Sequence, residues 1–353
     1  MKKYLIILLT ITLSFGLLAC QSKQQNQGNQ SNNNDMQNQM SEMPLYYIYT
    51  ANEDEASVSI VNMKTMNIEM TVPVGNGPHN VQVTPDGKFV YVVESKSNSI
   101  SAIDTTSGNV SNTISVGQGP SHIIFSPDSK TAYVTVAEMA NDMNGDNSMT
   151  GDIAIGNLYV VDLMNGSITT KIPVGKMPHG LRMSPDNKYI FVANSNSNDV
   201  SVIDVTSNSV IKTIPIGNGP VQPAFTPDNK YVFVSISNDN NVAVVDLSNM
   251  SVIKTIPVGK KPIQLYSTPD SKLIYVANED SGNVSVIDVA SMNVTGTITT
   301  GDKAYGVAIS KDGSYVFVTN RGSNTVSVID PMDNSIANTV NVGKSPNGIT
   351  IKE

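Results

Sequence analysis

The stretch Pro178–Asp204 reads PHGLRMSPDNKYIFVANSNSNDVSVID, and near-copies of it return along the chain. It contains two segments, YIFVAN (Tyr189–Asn194) and DVSVID (Asp199–Asp204), in which apolar and polar residues alternate. Alternation with a period of two residues, interrupted by Pro-Asp and Ser-Asn turns, is typical of antiparallel strands joined by hairpins. The stretch therefore predicts an all-β fold built from a repeated unit.

The spacing of the repeat identifies the architecture. The Pro of the Ser/Thr-Pro-Asp corner stands at positions 85, 127, 185, 227 and 269, Lys311 takes the next place, and one step of 58 residues interrupts steps of 42. Four short strands in about 42 residues are the signature of a propeller blade. Seven innermost strands are expected, with starts near Asn80, Ser121, His179, Val221, Ile263, Tyr305 and Asn347.

The two ends of the repeat region predict how the ring closes. The region begins at Leu45 with a second-strand sequence, LYYIYTAN, and ends at Ile349–Lys352 with a first-strand sequence. We expect these strands to share one blade, because an open ring would expose unpaired strand edges. Apolar residues of the inner strands should pack between blades; they are Val81, Ile123, Leu181, Leu265, Val307 and Ile349.

The first 44 residues do not fit the repeat. Residues 1–19 combine Lys2 and Lys3 with a short apolar run, which predicts a secretory signal peptide. The run ends in LLAC, which resembles the lipobox of bacterial lipoproteins, so Cys20 is the expected lipidation site; a free thiol and an uncleaved anchor are the alternatives. Residues 20–44 are rich in Gln, Asn and Ser and predict a disordered tether. We expect a propeller (residues 45–353) anchored to the bacterial membrane by lipid, outside the cytoplasm.

Charge limits the choice of partners. The chain has a net charge of −8, and Arg182 and Arg321 are its only arginines. Such a surface repels phosphate backbones, so no nucleic-acid partner is expected. We expect a monomer whose ligand is a protein, a glycan or a small molecule.

One blade carries a family resemblance. YVFVTNRGSNTVSVID (Tyr315–Asp330), followed by VGKSPNGI, resembles the YVTN family of seven-bladed propellers, which also occur in surface-layer proteins. The resemblance extends from Leu45 to Glu353, and the absence of Trp argues against WD repeats. It implies kinship with the haem-carrying propeller of certain nitrite reductases and the copper-bearing propeller of nitrous oxide reductase.

The loops that lead into the inner strands carry the candidate ligand-binding residues. All three histidines of the chain lie there, in three consecutive blades. Loops positioned by a rigid scaffold commonly carry function. The predicted binding face consists of His79, Asn80, His122, His179, Gln222, Gln264, Tyr305 and Asn347. The histidines have two interpretations: ordinary turn residues that pack over the channel mouth, or ligands of copper or zinc.

The irregular step places an insertion, residues 138–156, on the same face. Asp142, Asn144 and Asp146 resemble the start of a calcium loop, but Asn147 and Ile153 stand where an EF-hand needs Gly and Glu. Calcium therefore remains an alternative to copper. Methionines could bind Cu(I) through their thioethers, the alternative being a polar loop; they are Met139, Met143 and Met149, with Met36, Met40 and Met43 in the tether.

Catalytic motifs are scarce. The sequence has no Gly-x-Ser-x-Gly, no phosphate-cradling loop, and no cysteine besides Cys20. The predicted function is a binding or interaction module, with a copper-binding or redox-associated protein as the alternative. A lactonase-like hydrolase has only the analogy of fold in its favour.

Overall fold

The computed structural model describes residues 46–139 and 153–353. The predicted signal peptide (1–19), Cys20, the tether (20–44) and residues 140–152 of the insertion lie outside the described residues. Within the described ranges, none of the helices has the length and apolar character needed to cross a membrane.

The described chain forms seven four-stranded antiparallel sheets, which are the blades of a propeller. Blade 1 contains β1 (Tyr47–Asn52), β2 (Ser57–Asn62), β3 (Asn67–Pro73) and the last strand, β28 (Pro346–Lys352). Blade 2 contains β4 (Pro78–Val83), β5 (Phe89–Glu94), β6 (Ser99–Asp104) and β7 (Val110–Ser115). Blade 3 contains β8 (Pro120–Phe125), β9 (Thr131–Met139), β10 (Ile153–Asp162) and β11 (Ser167–Val174). Blade 4 contains β12 (Pro178–Met183), β13 (Tyr189–Asn194), β14 (Asp199–Asp204) and β15 (Ser209–Pro215).

The remaining three blades repeat the same order. Blade 5 contains β16 (Pro220–Phe225), β17 (Tyr231–Ile236), β18 (Asn241–Asp246) and β19 (Ser251–Pro257). Blade 6 contains β20 (Pro262–Ser267), β21 (Leu273–Asn278), β22 (Asn283–Asp288) and β23 (Asn293–Thr299). Blade 7 contains β24 (Ala304–Ile309), β25 (Val316–Asn320), β26 (Thr325–Asp330) and β27 (Ser335–Asn341). Single 3-10 turns, Ser237–Asp239 and Glu279–Ser281, connect the second and third strands of blades 5 and 6.

Closure of the ring is as predicted. The strand order of blade 1 is β28-β1-β2-β3, so the C-terminal strand is its innermost strand. β28 pairs antiparallel with β1 and aligns Ile351 with Ile48 and Ile349 with Thr50. Blade 1 is therefore complete only when both ends of the repeat region are present.

The core lies between neighbouring blades. Each of the larger apolar clusters combines residues of two adjacent blades; one, for example, joins Leu181 and Ile190 of blade 4 to Tyr133 and Leu158 of blade 3. All six inner-strand residues predicted to pack between blades are at most 6% exposed. The outer strands alternate less strictly and leave side chains such as Ile211 exposed. Burial is thus greatest at the inner three strands, the first of which lines the channel.

Strands extend into both ends of the insertion. β9 continues to Met139 and β10 begins at Ile153, and the two pair beyond the point where the other blades turn. The lengthened strands β9 and β10 run towards the face where the second and third strands of each blade connect.

Candidate functional site

An irregularity at the start of the inner strands shapes the channel mouth. The pairing of the first strand with the second shifts register between Pro78 and Asn80 in blade 2, and between Pro120 and Ile123 in blade 3. Such a bulge disturbs the strict alternation of side chains. Residues at two consecutive positions can therefore approach the channel instead of pointing to opposite faces of the sheet.

These two positions form two rings. The first ring is the second residue of each inner strand: His79, Ser121, His179, Val221, Ile263, Tyr305 and Asn347. The second ring is the next residue: Asn80, His122, Gly180, Gln222, Gln264, Gly306 and Gly348. Two of the three histidines belong to the first ring and one to the second.

The structure brings all three histidines together. Ring centroids lie 5.3 Å apart for His79 and His122, 5.3 Å for His79 and His179, and 4.5 Å for His122 and His179. The Nε2 atoms of His79 and His179 are 3.4 Å apart. One nitrogen from each histidine can be chosen so that the three lie within 4.8 Å of one another.

Buried nitrogens in this cluster have no protein partner among the residues that the structure describes. Nε2 of His122 and Nδ1 of His179 make no hydrogen bond although both are inaccessible. A buried polar atom without a partner costs about 1–3 kcal/mol. Two other ring nitrogens do have hydrogen-bond partners: Nδ1 of His122 lies 3.0 Å from Ser121 Oγ, and Nδ1 of His79 lies 2.9 Å from Asn347 Nδ2.

Thr135 on β9 fixes the backbones that carry two of the histidines. Its hydroxyl accepts a hydrogen bond from His122 N (3.0 Å) and donates one to the His179 carbonyl (2.7 Å). Thr319 repeats the device in blade 7, where its hydroxyl donates to the Asn347 carbonyl at 2.8 Å. The histidines therefore stand on rigid strands whose separation is set by buried hydrogen bonds.

The cluster is held neutral. Burial, with a smaller contribution from Arg321, lowers the pKa of His79 to about 4. Burial and the neighbouring His79 lower the pKa of His179 to about 3, and burial together with the other two histidines lowers the pKa of His122 well below its usual range. Neutral imidazole is the form that binds metal ions.

A polar network borders His79. Asn347 Nδ2 donates to Glu53 Oε2 at 2.9 Å, and the same carboxylate oxygen pairs with Arg321 at 2.6 Å. The Arg321 guanidinium lies over the ring of Tyr305, 4.8 Å from its centroid. Burial raises the pKa of Tyr305, so its hydroxyl stays protonated. The charge of Arg321 is thus balanced beside the histidines by Glu53.

The second-ring amides hold strands together. Asn80 Oδ1 accepts a hydrogen bond from the Ile123 backbone N–H (3.2 Å), and Gln264 Oε1 accepts one from Val307 (3.3 Å). Gln222 Nε2 donates to the Leu181 carbonyl of the preceding blade at 3.4 Å. These predicted binding residues are buried and bridge neighbouring inner strands, whereas Tyr305 and Asn347 lie beside the histidine cluster.

Sequence reasoning did not select Glu53, Arg321 or Thr135. Glu53 and Arg321 directly follow the second strands of blades 1 and 7, and only folding brings them to His79 and Asn347. The scarcity of arginine could have indicated a role for Arg321, because the chain has only two arginines and this one lies at the channel mouth.

The chain matches the family model described as "Lactonase, 7-bladed beta-propeller" over residues 46–252 and 224–300. No curated protein matches it. Among solved structures it is similar to hydrazine synthase of Kuenenia stuttgartiensis, at 23% identity and a TM-score of 0.70, covering 80% of this chain and 91% of that one.

Two further structures share the fold at lower identity. One is a functionally unknown protein of Desulfotomaculum acetoxidans, at 16% identity and a TM-score of 0.73, covering 86% of this chain and 98% of that one. The other is the dihydro-heme d1 dehydrogenase NirN in complex with DHE, at 16% identity and a TM-score of 0.63, covering 87% of this chain and 75% of that one. These likenesses concern the propeller architecture.

Proposed function

This chain belongs to the seven-bladed β-propeller lactonase family, and we propose that its propeller binds one zinc or copper ion through His79, His122 and His179. The observation that carries the proposal is the approach of the imidazole nitrogens. Two nitrogens that share a tetrahedral ion at about 2.0–2.1 Å lie about 3.3–3.4 Å apart. The Nε2 atoms of His79 and His179 are 3.4 Å apart.

Burial and chemistry support the same site. His122 Nε2 is buried without a partner in the described part of the chain, and a metal ion would satisfy it. Three neutral nitrogen donors suit zinc and copper, whereas calcium and magnesium require oxygen ligands. The site favours a borderline ion over the calcium that the insertion suggested.

The repeat supplies substitutions that the fold already accepts. Blade 5 carries Val221 at the first ring and Gln222 at the second. Replacing His79 and His179 by Val, and His122 by Gln, therefore removes the ligands while keeping residues that occur at equivalent positions. Val221→Ile, which borrows the residue of blade 6, is the matched control.

Protein purified without chelators should contain close to one equivalent of zinc or copper by elemental analysis. We expect the triple variant His79→Val, His122→Gln, His179→Val to bind at least about a hundredfold more weakly in titration calorimetry. Val221→Ile should bind as the parent does. Substoichiometric metal that does not rise on adding zinc or copper would remove the proposal.

Lactone hydrolysis is the second candidate, and family membership favours it. His79, His122 and His179 would hold the ion, and zinc there would supply a hydroxide near neutral pH, which is a suitable nucleophile for an ester carbonyl. Dihydrocoumarin is a practical probe. Hydrolysis that needs zinc and disappears in the triple variant would support this candidate, and metal binding without hydrolysis would leave the binding function alone.

We also propose that the protein is a membrane-anchored member of the YVTN group of propellers. The LLAC sequence supports acylation at Cys20, which would hold the propeller at the membrane outside the cytoplasm. We expect radioactive palmitate to label the full chain in bacterial cells and to be absent from Cys20→Ser. Equal labelling of both would contradict anchoring at this residue.

A further inference from the structure

A third ring of equivalent positions lies at the opposite end of the channel. It is the fifth residue of each inner strand: Gln82, Ile124, Arg182, Ala224, Tyr266, Ala308 and Thr350. Six of the seven residues are uncharged, so the fold does not require a charge here. Arg182 is the exception, and it is the second of the chain's two arginines.

Arg182 is available to an anion. Its guanidinium lies over the ring of Tyr266, 5.0 Å from the centroid, two blades further along the ring. Across residues 46–139 and 153–353, no carboxylate oxygen lies within 4.0 Å of it, whereas Arg321 pairs with two glutamates. The side chain is half-buried. A guanidinium presents donors that match a carboxylate with two parallel hydrogen bonds.

This arginine borders a cavity of about 590 Å³. Ligand sites typically occupy about 300–1,000 Å³. Its walls combine apolar side chains, among them Ile124, Phe125, Met183 and Ile309, with polar and charged ones. Lys311, Lys352 and Glu353 also line it, so three cationic side chains, Arg182 included, face one acidic side chain in a protein whose net charge is −8.

We propose that this mouth, at the face of the hairpins joining first and second strands, binds a small organic carboxylate with a flat apolar body. The carboxylate pairs with Arg182, and the body lies against Tyr266 and the aliphatic side chains of the third ring. The site is distinct from the histidine cluster, because it uses different ring positions and a different ligand chemistry.

The test uses two probes of nearly equal shape, 1-naphthoate and the neutral 1-naphthalenemethanol, with saturation-transfer NMR and calorimetry on the full chain. We expect 1-naphthoate to bind in the millimolar range or tighter and at least about tenfold more strongly than the alcohol. Arg182→Gln, which borrows the residue of blade 2, should reduce naphthoate binding at least about tenfold and leave the alcohol unchanged.

Two further variants test where the probes bind. Ala308→Tyr, which borrows the residue of blade 6, should fill the cavity and block both probes. The triple histidine variant should bind naphthoate as the parent does, so loss of the metal site and loss of this site are distinguishable. Absence of naphthoate binding to the parent, or equal binding by Arg182→Gln, would overturn the proposal.

Discussion

The two sides of the first ring share one backbone and differ in chemistry. In blades 1 to 4 the ring carries Asn347, His79, Ser121 and His179, which bring polar atoms together. In blades 5 to 7 it carries Val221, Ile263 and Tyr305, which form a small buried apolar cluster. The repeated strand geometry thus fixes where side chains meet, and the residue at each position decides whether the contact is apolar or able to bind an ion.

The largest loss of stability should come from removing a strand of the ring that both sides share. Deleting residues 345–353 removes β28, leaving β1 without its inner partner and Asn347 absent from the histidine network. Burying Ile349 alone is worth about 1.5–3 kcal/mol, and the unpaired β1 backbone adds to this cost. Against a typical stability of about 5–15 kcal/mol, we expect aggregation or a much lower melting temperature by calorimetry. Unchanged melting would contradict closure through blade 1.

A smaller but still large loss of stability is expected at low pH, and it should come from the histidines on the polar side of the first ring. In the folded metal-free protein the pKa is lowered to about 4 for His79 and to about 3 for His179. Below about pH 6.5, which is the ordinary pKa of histidine, the unfolded chain therefore binds more protons than the folded protein does. Stability should therefore fall as pH drops from about 6.5 towards 4. Each unit of pKa difference corresponds to about 1.4 kcal/mol.

The control for that prediction is the triple variant His79→Val, His122→Gln, His179→Val. Denaturant unfolding of both metal-free proteins at pH 7 and pH 4.5 isolates the histidine contribution, since the carboxylates are common to both. We expect a clearly smaller loss of unfolding free energy in the variant. Equal losses would mean that the histidines titrate normally in the folded protein.

An intermediate effect should show how closely the inner strands approach one another. A Cβ added at Gly180 would stand 2.5 Å from the Val221 carbonyl oxygen and nearer still to Gln222 Oε1. We expect Gly180→Ala to lower the unfolding free energy by about 2–3 kcal/mol in urea. Gly296→Ala is the control: its Cβ would lie 3.7 Å from Val286, so a change of about 0.5 kcal/mol or less is expected. Similar values for both would contradict close approach at the channel.

The smallest effect should come from the surface hairpins at the far face. The Lys188 and Asp186 charges are 3.1 Å apart, but the lysine side chain is 67% exposed. Exposed ion pairs contribute about 0–1 kcal/mol. We expect Lys188→Ala to leave the urea unfolding midpoint unchanged. A clear fall in that midpoint would assign this hairpin a structural role that its exposure does not suggest.

The sequence by itself determined the seven blades, their order and their closure. The physical reason is that strand pairing is local within every blade except the closing one, and the period of about 42 residues repeats the same apolar pattern. Leu181 or Val307 could therefore be assigned to the core by position. It also placed the histidines at one face. It did not distinguish the histidines, Tyr305 and Asn347 from Asn80, Gln222 and Gln264, whose amides tie neighbouring strands together.

Only the tertiary structure decided which side chains meet. The bulge at the start of each inner strand brings His122 of the second ring against His79 and His179 of the first, which simple alternation along a strand does not predict. Ring closure places Asn347 and Glu53 beside His79, although they are 294 residues apart in the chain. Arg182 of blade 4 and Tyr266 of blade 6 likewise meet only because the ring curves. These contacts depend on the curvature of the whole ring, which no single repeat encodes.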